Sequence, residues 1–173
     1  EAIKKSASCV IVRSSEFRVQ NKNKVPIIKV NDTTKALGDI ARFQRKKFNI
    51  PVIAITGSNG KTTTKDMVAW VLSKKLKVLK NEGTKNNQLG LPLTLCKLNS
   101  SYAIAVLEVG TNHFGEVEYL TRICEPDIGI ITNIGPAHLE NFLNLKGVLR
   151  EKYKLIENLK KPHIGISNAD DKL

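Results

Sequence analysis

"VIAITGSNGKTTTKDM", residues 52–67, decides how the chain is read. An apolar run stops at Gly57; Ser58 and Asn59 follow, then Gly60, Lys61 and the threonines Thr62, Thr63 and Thr64. Two glycines let the backbone turn tightly and aim several N–H groups at one point, while Lys61 and the start of a following helix add positive charge there. The product is an anion cradle suited to nucleotide phosphates, and Thr62 or Thr63 offers a hydroxyl to the Mg²⁺ that accompanies them. The buried-strand character of "PVIAIT" supplies the strand, turn and helix context that such a cradle requires. The widespread form of the loop, G-x-x-x-x-G-K-[ST], would put its first glycine at position 55, where Ile55 stands, so this loop is two residues shorter.

Outward from the loop, apolar runs at 51–56, 102–107 and 127–132 lack period-two alternation, as expected of parallel strands covered on both faces. Helical patterns lie between them near 62–75, 91–97 and 115–124, a longer one spans 145–160, and "HIGIS" at 163–167 reads as a further strand. The predicted architecture is an α/β doubly wound parallel sheet. Before it, "SCVIV" and "VPIIKV" read as short strands parted by a polar loop at 13–24. A helix capped by Asn31 or Asp32 follows, with Leu37, Ile40, Ala41 and Phe48 on one face and Gln44 interrupting it. The expected boundary falls at 49–51, making residues 1–49 the end of a small α/β domain and 50–173 the second domain. The chain begins at Glu1 and stops just after a strand and turn, which reads as part of a longer protein.

Ligands of such sheets sit outside the carboxyl ends of the strands, so the residues that follow each strand are the candidates. Glu108 ends "AIAVLEVG" directly after six apolar residues, as either a solvent-facing strand end or a functional carboxylate beside the Mg²⁺-nucleotide loop. "DIGIITNIGPAHLENF" delivers Asn133 and then His138, whereas His113 and His163 read as ordinary surface histidines. On the long helix, Leu145, Val148, Leu149, Leu155, Ile156 and Leu159 form an apolar stripe, and the position that completes it is Lys152. A lysine there either snorkels outward or is buried for chemistry. Lys154 points away from the stripe and reads as solvated.

Composition narrows the classes. The 173 residues can hold one core, or one core and part of another. A net charge of +12 invites nucleic acid, but the lysines are scattered and no aromatic residues interleave with them, which argues against it. No apolar run approaches the roughly 18 residues of a membrane span. The three cysteines are odd in number and lack C-x-x-C spacing, which fits a reduced, cytoplasmic setting.

"TGSNGKTTTK", "NEGTKNNQLGLPLTL", "VLEVGTNHFGEVEYLT", "PDIGIITNIGPAHLENF", "EKYKLIENL" and "ISNADD", taken together and in order, resemble the Mur ligases, which use the short phosphate loop. Within that family the likeness is to the branch that joins D-alanyl-D-alanine to UDP-N-acetylmuramoyl-tripeptide in peptidoglycan synthesis. The resemblance implies that residues 1–49 close an N-terminal UDP-sugar-binding domain, that 50–173 form most of the ATP-binding domain, and that these residues by themselves do not ligate. It implies catalytic roles for Lys61, Lys152 and His138, with ATP held by Gly57, Ser58, Asn59, Gly60, Lys61, Thr62 and Thr63 and its adenine near Asn168. It also implies a Mg²⁺ site of Thr62, Glu108, His138 and Lys152, the last carbamylated, and places Asn86 and Asn87 towards the sugar-peptide. Glu151 and Tyr153 differ from the small residues typical beside that lysine. The implied enzyme is a cytoplasmic monomer that passes through an acyl phosphate and has no nucleic-acid or membrane partner. Sibling ligases and folylpolyglutamate synthase are the near alternatives, against which "NNQLGLPLTL" and "AHLENF" weigh. A phosphate-loop GTPase or kinase, and a basic nucleic-acid-binding module without chemistry, are the distant ones.

Overall fold

The computed structural model describes residues 5–14 and 25–171, so most of the loop expected at 13–24 lies outside the described residues. The chain divides into two compact units, residues 1–37 and 38–173. In the first, β1 (Val10–Arg13) and β2 (Ile27–Val30) pair in parallel, with Val10 opposite Ile27. Helix α1 (Thr33–Lys46) begins where the Asp32 carboxylate accepts the backbone N–H groups of Thr34 and Lys35 at 2.8 and 3.0 Å. This is the expected cap, since it satisfies donors that the first turn leaves without partners.

The second unit is built on β3 (Val52–Thr56), α2 (Lys61–Leu72), β4 (Val78–Lys80), α3 (Gly90–Leu95), β5 (Ile104–Glu108), α4 (Glu116–Cys124), β6 (Ile128–Ile131), α5 (Leu139–Phe142), α6 (Leu145–Glu157) and β7 (Ile164–Ser167). Its five strands are all parallel, in the order β4-β5-β3-β6-β7. Every residue of β3 and β5 is buried, as the uninterrupted apolar runs foretold. Successive side chains point to opposite faces. Val52, Ala54, Ala105 and Leu107 accordingly pack beneath α3, α4 and α6, while Ile53, Ile55, Ile104 and Val106 pack beneath α2. The strand order accounts for the split. Crossovers between parallel strands are right-handed, and only the step from β3 to β4 runs the other way across the sheet, so α2 covers one face alone. All five strands consequently end on the same side, with the glycine loop leaving the middle one.

Two expectations change. Strand β4 was not foreseen, because it is a three-residue edge strand set among lysines, with only Leu79 buried. On α1 the inward face is Gly38, Ala41 and Arg45, whereas Ile40 is exposed. The Arg45 guanidinium takes the inward place because it donates to the carbonyls of Cys124 at 3.0 Å, Phe48 at 2.7 Å and Ile50 at 3.1 Å. Gln44, which breaks the apolar stripe, donates to the Leu98 carbonyl at 2.6 Å.

Arg45→Met strands these carbonyls and lowers stability by about 3 kcal/mol, whereas Gln44→Met, which removes one bond, costs about 1 kcal/mol. Urea denaturation of the purified protein measures both; an unmoved midpoint for Arg45→Met would show that the carbonyls are satisfied by water.

Candidate active site

The loop between β3 and α2 is fixed from two sides. Gly57 has φ +149°, and a Cβ there would meet the Thr132 hydroxyl at 1.9 Å, so only glycine lets the loop lie against the end of β6. Gly60, at φ +77°, stands in open space and turns the chain into α2. From the residues after β6, Asn133 accepts the backbone N–H of Asn59 through its side chain at 2.9 Å and that of Ser58 through its carbonyl at 3.0 Å. The Ser58 hydroxyl donates to the Gly135 carbonyl at 2.8 Å, and Thr132 donates to that of Asn59 at 2.6 Å. Loop shape therefore depends on a segment more than seventy residues away. The Lys61 ammonium lies over the loop, donating to the carbonyls of Gly57 at 2.9 Å and Ser58 at 3.1 Å. Partial burial lowers its pKa, opposed by the charge of Glu108.

Beside the loop stands Glu108, with 1% of its surface exposed. Its carboxylate accepts the Thr62 hydroxyl at 2.7 Å on one oxygen and the Asn86 amide at 2.6 Å on the other. The buried Asn81 side chain brackets its backbone, accepting from Glu108 N at 2.9 Å and donating to Glu108 O at 3.0 Å. Of the two reading choices for Glu108, solvent-facing is excluded. Of Thr62 and Thr63, only Thr62 reaches the carboxylate; Thr63 is exposed. Asn86 faces Glu108, while the Asn87 side chain accepts the N–H groups of Leu89 and Gly90 at the start of α3.

Lys152 is buried, 2% exposed, and among the described residues no acceptor bonds its ammonium. Burial first and the neighbouring Lys61 charge second pull its pKa from 10.5 to about 8, with Glu151 opposing. Lys154 instead pairs with Glu157 near the surface, as expected. The His138 imidazole is half-exposed and faces Glu140 at 3.6 Å and the Phe142 ring, and no contact joins it to Glu108 or Thr62. No three His, Cys, Asp or Glu side chains cluster as a metal-ligand set among the described residues. Asn168, after β7, lines a cavity of about 760 Å³ with Asn133, Arg150, Tyr153 and Ile166, a size that suits a nucleoside.

Three participants were not singled out as functional from sequence. Asn81 and Lys65 carry no pattern of their own. Glu151, noticed only as unusual, is buried and accepts the N–H groups of Gly115 at 2.8 Å and Val117 at 2.9 Å, capping α4 from α6.

A parallel sheet that carries a glycine loop and a Lys-Thr pair at the end of its central strand, with a buried carboxylate on the next strand, has the architecture of the nucleotide-binding α/β proteins. The chain belongs to the Mur ligase family: the Mur ligase middle domain matches residues 55–173. It is 38% identical over 174 residues to the UDP-N-acetylmuramoyl-tripeptide–D-alanyl-D-alanine ligase of Haemophilus influenzae, an alignment that takes in 98% of this chain and 37% of that one. Among solved structures it is similar to MurF of Thermotoga maritima in complex with ADP, with TM-score 0.88, 31% identity and 98% of this chain against 38% of that one. MurF of Acinetobacter baumannii superposes with TM-score 0.86 at 34% identity, over 94% of this chain and 35% of that one. The chain thus spans little more than a third of the length of these relatives. No helix among the described residues is long and apolar enough to cross a membrane.

With its pKa near 8 in the folded protein and 10.5 in the unfolded chain, Lys152 binds fewer protons folded than unfolded between those values. Stability therefore rises with pH across that window, and the cost of the buried charge is greatest below it. In CO₂-free buffer at pH 7, Lys152→Met should stabilise the protein by about 2–3 kcal/mol. That advantage shrinks from pH 8 upward and is gone above 10.5. A pH-independent difference in urea midpoints would show that the ammonium is hydrated.

Proposed function

We propose that the protein containing this chain is an ATP-dependent amide ligase that joins D-alanyl-D-alanine to UDP-N-acetylmuramoyl-tripeptide. The observation that carries the reading is the array at the loop: Lys61 over the phosphate cradle, and Thr62 hydrogen-bonded at 2.7 Å to a Glu108 carboxylate that is 1% exposed. Residues 1–49 close the UDP-sugar-binding domain and 50–173 form most of the central domain. The site works in the cytoplasm as part of a monomer, without nucleic acid or membrane.

In this reading Gly57, Ser58, Asn59, Gly60 and Thr63 present the loop to the β- and γ-phosphates of ATP, and Lys61 neutralises them as a point charge. The cavity at Asn168 takes the adenine. Thr62 and Glu108 offer two hard oxygen donors, which fit magnesium, and Mg²⁺ when bound neutralises phosphate charge. Asn86 holds Glu108 in place, and with Asn87 it lies in the segment directed at the sugar-peptide. The tripeptide carboxylate attacks the γ-phosphorus, the bond to the β-bridging oxygen breaks, and ADP leaves. The dipeptide amine then attacks the acyl carbon, losing its proton as the carbon–oxygen bond to phosphate breaks. Positioning and charge neutralisation supply the catalysis, and no covalent enzyme intermediate is required.

Lys152 is carbamylated in this scheme. With a pKa of about 8, roughly a tenth of the side chain is free amine at pH 7. The amine attacks CO₂, forms an N–C bond and releases one proton. Two repelling cations, Lys61 and Lys152, become a cation and an anion, and the carbamate oxygens are the kind of ligand magnesium accepts. His138 joins the metal site by turning its imidazole away from Glu140.

The reading is tested by phosphate release from the intact enzyme supplied with each UDP-muramoyl peptide and D-alanyl-D-alanine; release must require tripeptide and dipeptide together. Lys61→Ala abolishes turnover and Lys61→Arg does not restore it, because a planar guanidinium cannot take the place of a compact ammonium. More than about a tenth of the activity in the arginine variant, a loss below roughly 1.4 kcal/mol, counts against the cradle. Lys152→Ala is nearly inactive and is partly rescued by formate or acetate, while Lys154→Ala is nearly normal. Equal tolerance of the two alanine changes would sink the carbamate.

A further inference from the structure

Among the described residues Lys65 is the largest fully buried side chain, 0% exposed, and nothing in the reaction just described uses it. It lies one turn beyond Lys61 on α2. Its ammonium donates to the carbonyls of Asn81 at 2.9 Å and Gly83 at 3.2 Å. The nearest counter-charge, an Asp66 oxygen at 3.6 Å, belongs to a half-exposed carboxylate that also binds Lys80 at 2.7 Å. Burying an ammonium with so little compensation costs several kcal/mol, and an apolar chain of similar length is often neutral or better for stability. The return on that cost is geometric. An ammonium is a compact donor with three hydrogens, able to gather carbonyls that would otherwise point into the core unsatisfied.

The segment gathered by Lys65 leads to the carboxylate site. Asn81, held through its carbonyl, brackets the backbone of Glu108 through its side chain, with contacts of 2.9 and 3.0 Å. The same side chain donates to the Lys85 carbonyl at 2.9 Å, fixing the residue before Asn86. Asn86 is docked on the end of β5 by Gly110 N at 2.9 Å and delivers its amide to Glu108 at 2.6 Å. Thr62, three residues before Lys65 on the same helix, completes the set from the opposite oxygen at 2.7 Å. One helix therefore touches Glu108 twice, directly through Thr62 and indirectly through Lys65 and the segment 81–86.

We infer that Lys65 is a positioning residue for the metal-nucleotide site: its buried ammonium sets the backbone of residues 81–86 so that Asn81 and Asn86 aim the Glu108 carboxylate at the place where Thr62 faces it. The inference rests on the ligase reading, and its experiment separates the two. ADP is titrated into the intact enzyme by calorimetry, with and without millimolar Mg²⁺, for wild type, Lys65→Met, Asn86→Ala and the double variant. Lys65→Met leaves metal-free ADP binding within about twofold, because the phosphate loop is untouched, and cuts the gain from Mg²⁺ about tenfold. Asn86→Ala does likewise, and the double variant loses little more, since both act on one carboxylate. Hydrogen exchange across 81–86 and at Glu108 accelerates in Lys65→Met even without nucleotide. Should Lys65→Met not fold, Gly83→Ala carries the comparison: φ is +52° there and a Cβ meets nothing within 4 Å, so the substitution clashes with no neighbour and strains the backbone of the residue whose carbonyl Lys65 holds. Its expected loss of the Mg²⁺ gain is about threefold. A folded Lys65→Met or Gly83→Ala protein with the wild-type Mg²⁺ gain, or losses that simply add in the double variant, overturns the inference alone. Wild-type enzyme that gains nothing from Mg²⁺ overturns the ligase reading and this inference with it.

Discussion

A carboxylate that is 1% exposed needs hydrogen-bond donors in place of water, and Glu108 is held by three elements at once. Thr62 comes from the first turn of α2, Asn86 from the segment before α3, and Asn81 from the end of β4. Moving Thr62 or Asn86 leaves a buried carboxylate oxygen short of a donor, and moving Asn81 leaves the Glu108 backbone N–H and carbonyl without their partners; each is costly. The carboxyl edge of the sheet is therefore held as a unit. The phosphate loop is part of that unit, because the same first turn of α2 carries Lys61.

Three lysines near this edge show how differently one side chain type is used. Lys61 is partly buried and reaches the loop carbonyls, where an incoming anion would compete for it. Lys65 is fully buried and spends its donors on two carbonyls. Lys152 is buried with no such acceptor; burial first and the Lys61 charge second pull its pKa to about 8, and a fraction becomes available as an amine. The last two are almost equally buried and differ in the acceptors within their reach.

The parallel sheet and its main helices were legible because their signals are local: apolar runs without alternation, stripes at helical spacing, and a glycine turn between a strand and a helix. Strand β4 was not, since three residues among lysines carry little pattern and the strand exists through its pairing with β5. The inward face of α1 was misjudged because apolarity was taken to decide it, while Arg45 is drawn in by carbonyls that no linear pattern displays. The Asn87 side chain caps α3, and Glu151 caps α4 from a different helix, contacts that no local pattern displays.

By itself, then, the sequence determined the fold class, the short glycine loop between a strand and a helix, and the identity of the buried lysine candidate, because each depends on neighbours within a few turns of chain. Only the tertiary structure decided that Lys152 is buried rather than snorkelling, that Thr62 rather than Thr63 meets Glu108, and that His138 faces Glu140. It alone brought Lys65 and Asn81 into the account. The reason is physical: a side chain's charge state and partner depend on which distant backbone groups the sheet order carries to its side, and sequence spacing holds no record of that.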